Sequence, residues 1–84
     1  MFYNTYNTMY SNFGNRQWIG NRINVEAAIL IALQRIPGQV MKVEFDYENG
    51  FLVYEIVIRN PSGVYEVHVN AASGQIIKVE IEND

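Results

Sequence analysis

The run VMKVEFDYENGFLVYEIVIRNPSGVYEVHV, residues 40–69, decides the fold. Its first part alternates Met41, Val43, Phe45 and Tyr47 with Lys42, Glu44, Asp46 and Glu48, the period of a strand with one buried face. Asn49-Gly50 follows, a pair that accepts positive φ at both centres of a type I′ turn and so predicts a two-residue hairpin. A loop of that length sets Glu48 opposite Phe51, Phe45 opposite Tyr54 and Val43 opposite Ile56. Each inward residue then meets an inward residue, so turn geometry and hydrophobic pattern agree on one register. Asn60-Pro61-Ser62-Gly63 turns the second strand, and pairing Arg59 with Val64 sets Ile58 beside Tyr65 and Ile56 beside Val67.

Downstream, Asn70-Ala71-Ala72-Ser73-Gly74 reads as the last turn. Residues 75–82 then form a fourth strand that gives Ile77, Val79 and Ile81 to the inner face and sets Glu66 opposite Lys78. Upstream, Asn24 is a good N-cap because its side-chain oxygen can accept from an orphan amide of the first turn. Glu26 adds negative charge at the positive end of the helix dipole. The helix VEAAILIALQRI, residues 25–36, runs to Pro37-Gly38, where proline removes a donor and glycine permits a left-handed exit. Ile29, Ala32, Leu33 and Ile36 form its apolar stripe, and Leu30 and Ile31 point away from that stripe. The expected class is α+β, with one helix packed on a four-stranded antiparallel β-meander, preceded by an Asn/Tyr-rich N-terminal segment.

That leader, residues 1–23, has its own character. It holds six of the eleven aromatic residues and both Arg16 and Arg22, with no acid. Its charge is +2, against −5 for the domain assigned to residues 24–84. An Asn/Tyr-rich tract without apolar period is an adhesive, low-complexity segment, either disordered or packed back on the domain through its rings and its opposite charge.

Composition removes several classes of function. The chain has 84 residues, enough for one small domain. A net charge of −3 argues against binding nucleic acid or a membrane surface through basic charge. The absence of cysteine excludes thiol catalysis and thiolate zinc sites, and His68 as sole histidine excludes motifs that need two imidazoles. The longest apolar run, residues 27–33, is far short of the ~20 needed to span a bilayer. The N-terminus lacks a basic region followed by an apolar core. The expected setting on these features is therefore the cytoplasm by default.

EAAILIALQRIPGQVMKVEFDYENGFLVYEIVIRNPSGVYEVHVNAASGQIIKVE, residues 26–80, resembles the PepSY domain of peptidase propeptides and spore-germination proteins. The matching features are an EAA helix ending in Pro-Gly, a V-x-x-V-E strand, a G-x-YEVHV strand and an N-A-x-S-G turn before I-K-V-E. Asn70 stands where Asp is usual and Ser73 where Thr is usual, and either can still bond the turn backbone. The resemblance implies a small bacterial helper domain without chemistry of its own, which modulates or inhibits a peptidase by protein–protein contact.

No catalytic, cofactor or metal role is assigned. Glu44, Glu55 and His68 align across three strands on the face opposite the helix. Two carboxylates and an imidazole could hold a cation; the competing reading is a solvated row diluted by Lys42, Arg59 and Lys78. Glu44 and Glu55 repel, and His68 beside Glu55 offers compensation. Tyr47, Tyr54 and Tyr65 are expected in the core with wet hydroxyls. Phe51, Val53, Val57, Val64 and Ile76 fall on the outer face and make it too apolar for solvent. With Leu30 and Ile31 they are the expected protein-binding residues. The leader, a second copy of the chain or a partner such as a peptidase are the candidate coverings. The alternative function is a self-associating structural protein of a spore or cell surface that uses the Tyr/Asn leader.

Overall fold

Asn24 starts the helix as its sequence demands. Its backbone is extended, and its Oδ1 accepts a hydrogen bond from the Ala27 amide at 2.8 Å. In the computed structural model, which describes residues 22–82, the helix α1 spans Val25–Arg35, with Ile36 as its C-cap. The leader reading therefore lies outside the described residues except at Arg22 and Ile23. Four strands follow: β1 (Gln39–Glu48), β2 (Phe51–Asn60), β3 (Gly63–Asn70) and β4 (Ile76–Glu82). They pair antiparallel in chain order.

The register of β1 with β2 and of β2 with β3 is the one the hairpin turn predicts, with Val43 opposite Ile56 and Ile56 opposite Val67. Asn49, at φ 53, and Gly50, at φ 86, supply the two positive dihedrals of that turn. Ile56, Ile58, Val43, Val67 and Val69 are completely buried, each contributing about 1.5–3 kcal/mol of transfer free energy. The helix lies over β2 and β3 and buries Val25, Ala28, Ile29 and Ala32. Ala28 and Ala32 are one turn apart and carry only methyl groups, which lets the helix sit close to the sheet.

Two β-bulges correct the expected alternation. The first lies between Val40 and Lys42, so Val40 faces Ile58 and packs on the core, and Met41 is exposed. The second separates the pairs of His68 and Val69. Ile76 therefore sits opposite Val69 and packs against the core, and Ile77 is the exposed residue. Beyond the bulge Glu66 sits opposite Glu80 and His68 opposite Lys78, two positions away from the expected Glu66–Lys78 pair. An extra residue leaves one side chain unpaired and re-aims the strand beyond it.

The tyrosines separate. Tyr54 is buried, donates to the Ile23 carbonyl at 2.9 Å and stacks on Phe45 at 4.7 Å between centroids. Tyr65 is half-buried, but Tyr47 is 68% exposed, because a helix centred on β2 and β3 leaves that end of β1 uncovered. The Asn70 turn closes as expected: its Oδ1 accepts from the Ala72 and Ser73 amides at 2.8 and 3.0 Å. Ile23 joins the fold directly, its amide donating to the Ala71 carbonyl at 2.8 Å.

Gly38 passes so close to β2 that a methyl group there would collide with the Arg59 carbonyl oxygen and come within 2.8 Å of Ile58 Cγ2. Gly38→Ala is expected to lower stability by about 1–3 kcal/mol, the usual effect of overpacking. Urea unfolding of both proteins measures it, and an unchanged midpoint would contradict this packing.

Candidate functional site

The face of the sheet opposite the helix carries most of the ionisable side chains. Alternation places Glu44, Asp46 and Glu48 of β1, Glu55 of β2, Glu66 and His68 of β3, and Glu80 and Glu82 of β4 on it. Lys42, Arg59 and Lys78 are its cations. Glu44, Glu55 and His68 do align as the sequence predicts. The side chains that gather are different. Glu44 turns to Lys42 at 3.5 Å, and Glu48 reaches across β2 to bring its Oε2 within 2.7 Å of His68 Nδ1. Glu55 Oε2 is 4.0 Å from the same nitrogen, and Glu66 Oε2 is 3.1 Å from Nε2.

This cluster is not the solvated row of the competing reading. His68 is only 4% exposed. The line from Glu48, opposite Phe51, to His68, opposite Glu55, crosses β2 at Val53. Val53 is completely buried even though it lies outside the helix-side core. Sequence reasoning missed Glu48 because it considered side chains directly opposite one another; diagonal neighbours on a twisted sheet are also within reach of a long side chain.

The carboxylates share an electrostatic problem. Burial pushes the Glu55 carboxyl up to about 7, helped by its hydrogen bond with Glu48 and by the negative charge of Glu66. Glu48 moves the other way, chiefly because Glu55 donates to it, with His68 adding attraction. Burial also raises Glu66, reinforced by a hydrogen bond with Glu82. The described serines offer no nucleophile to this cluster. Ser62 Oγ donates to Asn60 Oδ1 in one turn, and Ser73 Oγ accepts the Gln75 amide in another.

The expected protein-binding residues divide in the same way. Leu30 and Phe51 are exposed, at 62% and 55%. Val57 and Val64 are half-buried, and Val53 is inaccessible. Ile31 and Ile76 pack against the core from its margin. At the β1–β2 hairpin, Tyr47 and Phe51 are exposed on opposite faces beside Asn49-Gly50, with half-exposed Phe45 next to Tyr47.

The family model for the peptidase propeptide and YPEB domain, PepSY, matches residues 22–80. The crystal structure of a protein provisionally described as a lipoprotein, from Clostridium difficile 630, is similar, with a TM-score of 0.72 and 27% identity. The match covers 75% of this chain and 41% of that one, so the chain spans less than half the length of that relative. No curated protein sequence matches. Among the described residues, no helix is long and apolar enough to cross a membrane.

The raised Glu55 value fixes a pH dependence. The carboxyl has its ordinary value of 4.5 when unfolded and one near 7 in the fold, so the folded protein holds that proton more tightly. The resulting stabilisation is complete below about pH 4.5 and is lost as pH rises through about 7. Glu66 adds to the trend and Glu48 opposes it. Urea midpoints are expected to fall between about pH 5 and pH 8. Glu55→Gln is expected to flatten that fall, and an unaltered slope would place the Glu55 carboxyl in solvent.

Proposed function

The chain belongs to the PepSY family, and from that membership we propose that it is a non-enzymatic protein-interaction module that modulates or inhibits a peptidase by direct contact. The observation that carries the reading is the apolar surface left after the core is filled. Tyr47, Phe51, Leu30 and Ile81 are each more than half exposed. Aromatic side chains bring large contact areas with few rotatable bonds, which suits a docking anchor. The hairpin tip concentrates them where a cleft-shaped partner can receive both faces.

The reading as a non-enzyme is supported by the chemistry of the outer face. Among the described residues, carboxylates and one imidazole stand there without a serine nucleophile in reach, and the hydroxyls of Ser62 and Ser73 hold turns. Recognition by contact needs none of these groups to react.

The test is a titration of the full chain into a thermolysin-like metallopeptidase that is cleaving a fluorogenic peptide. A dose-dependent fall in rate is expected, weakened about tenfold by Tyr47→Ser or Phe51→Ser, the effect of losing about 1.4 kcal/mol at an aromatic anchor. Unchanged rates together with no complex on size-exclusion chromatography would overturn the reading. Light scattering that rises with concentration in the absence of a peptidase would favour the self-associating structural protein instead.

A further inference from the structure

His68 is buried, yet neither of its ring nitrogens has an aligned hydrogen bond. Buried polar atoms in that state usually have an unseen partner such as a water or an ion. The nearest atoms are carboxylate oxygens, Glu48 Oε2 at 2.7 Å from Nδ1 and Glu66 Oε2 at 3.1 Å from Nε2. These distances are short enough for attraction, but the oxygens stand off the axis of the ring nitrogens. A ring nitrogen and a carboxylate oxygen 2.7 Å apart share a proton or a metal ion, and the off-axis placement is the poorer fit to the proton.

We propose that Glu48, Glu55 and Nδ1 of His68 form a binding site for a divalent transition-metal ion of the zinc class. One donor atom from each lies within 4.8 Å of the others, close enough for small side-chain rotations to bring all three onto one ion. Ligands surround an ion and do not point along one another's axes, so the misalignment that spoils a hydrogen bond suits coordination. Glu66 lies 3.1 Å from the far nitrogen, where a small turn of the ring would let it accept from Nε2–H and complete a carboxylate–histidine–metal arrangement. A second set, Glu66, His68 and Glu80, also stands close together, but Glu80 is exposed. The set around Nδ1 is the better shielded.

Charge and scaffold agree. Three carboxyl groups crowd one imidazole in a partly dry site, where a divalent ion offsets the negative charge they can bring. The ligands project from β1, β2 and β3, which hydrogen bonding holds in fixed register. An imidazole donor favours zinc-class ions over calcium and magnesium, which prefer all-oxygen shells. Three protein ligands leave a coordination position free for water or for a group from another molecule.

Isothermal titration of zinc chloride into the untagged, chelator-treated full chain tests the site, with the His68 ring followed by NMR. A 1:1 event that moves the His68 signals is expected, with calcium and magnesium at the same concentration giving none. Glu48→Gln and His68→Ala are each expected to weaken binding at least about 100-fold, and Glu66→Gln about tenfold. Glu48→Gln keeps the strand pairing, so its result stands even if His68→Ala fails to fold. Absence of 1:1 binding at millimolar zinc overturns the proposal. So does zinc uptake that both ligand variants retain, or calcium bound as tightly as zinc with the ring signals unmoved.

Discussion

The row Val43, Ile56, Val67 and Val79, one residue from each strand, joins the sheet to its helix. The first three are completely buried, so no strand can slip by one position without exposing its share and burying charge. That constraint also sets the opposite face. Once Ile56 points at the helix, Glu55 must point away, and His68 across from it must do the same. The ionisable cluster is therefore a by-product of how the core is aligned, held in place by packing on the other side of the sheet.

Much of the architecture is legible because two independent signals coincide. Asn49-Gly50 fixes the first hairpin by backbone geometry, and the Val43/Ile56 and Phe45/Tyr54 pairings follow from counting. Asn24 and Pro37-Gly38 bracket the helix chemically. Legibility fails at Met41 and Ile77, where each bulge adds a residue that a period-two pattern cannot register. Val40 and Ile76 are as apolar as the residues beside them, so nothing in the chemistry of neighbouring aliphatics says which of two turns inward. Tyr47 fails for another reason. Its face is the one expected, but an eleven-residue helix does not cover a four-stranded sheet to its edge.

The outer face was legible in outline. The alignment of Glu55 with His68 follows from register alone, whereas the approach of Glu48 depends on side-chain reach along a diagonal. The burial of Val53 follows the same logic, since an apolar residue on a charged face can be dry when long side chains meet above it. The family resemblance that the order of motifs carries, from the EAA helix to the final I-K-V-E, is matched by the PepSY assignment over residues 22–80.

The bond from the Ile23 amide to the Ala71 carbonyl ties the start of the domain to the turn before β4. Ala71 also donates to Leu52, which pairs with Tyr47, and Arg22 lies over the Phe45 ring. The start of the domain thus lies at the same end of the sheet as the aromatic hairpin. Through Ala71 the backbone that enters the helix is tied to the strand leaving the Asn49-Gly50 turn, so a displacement of either is transmitted to the other.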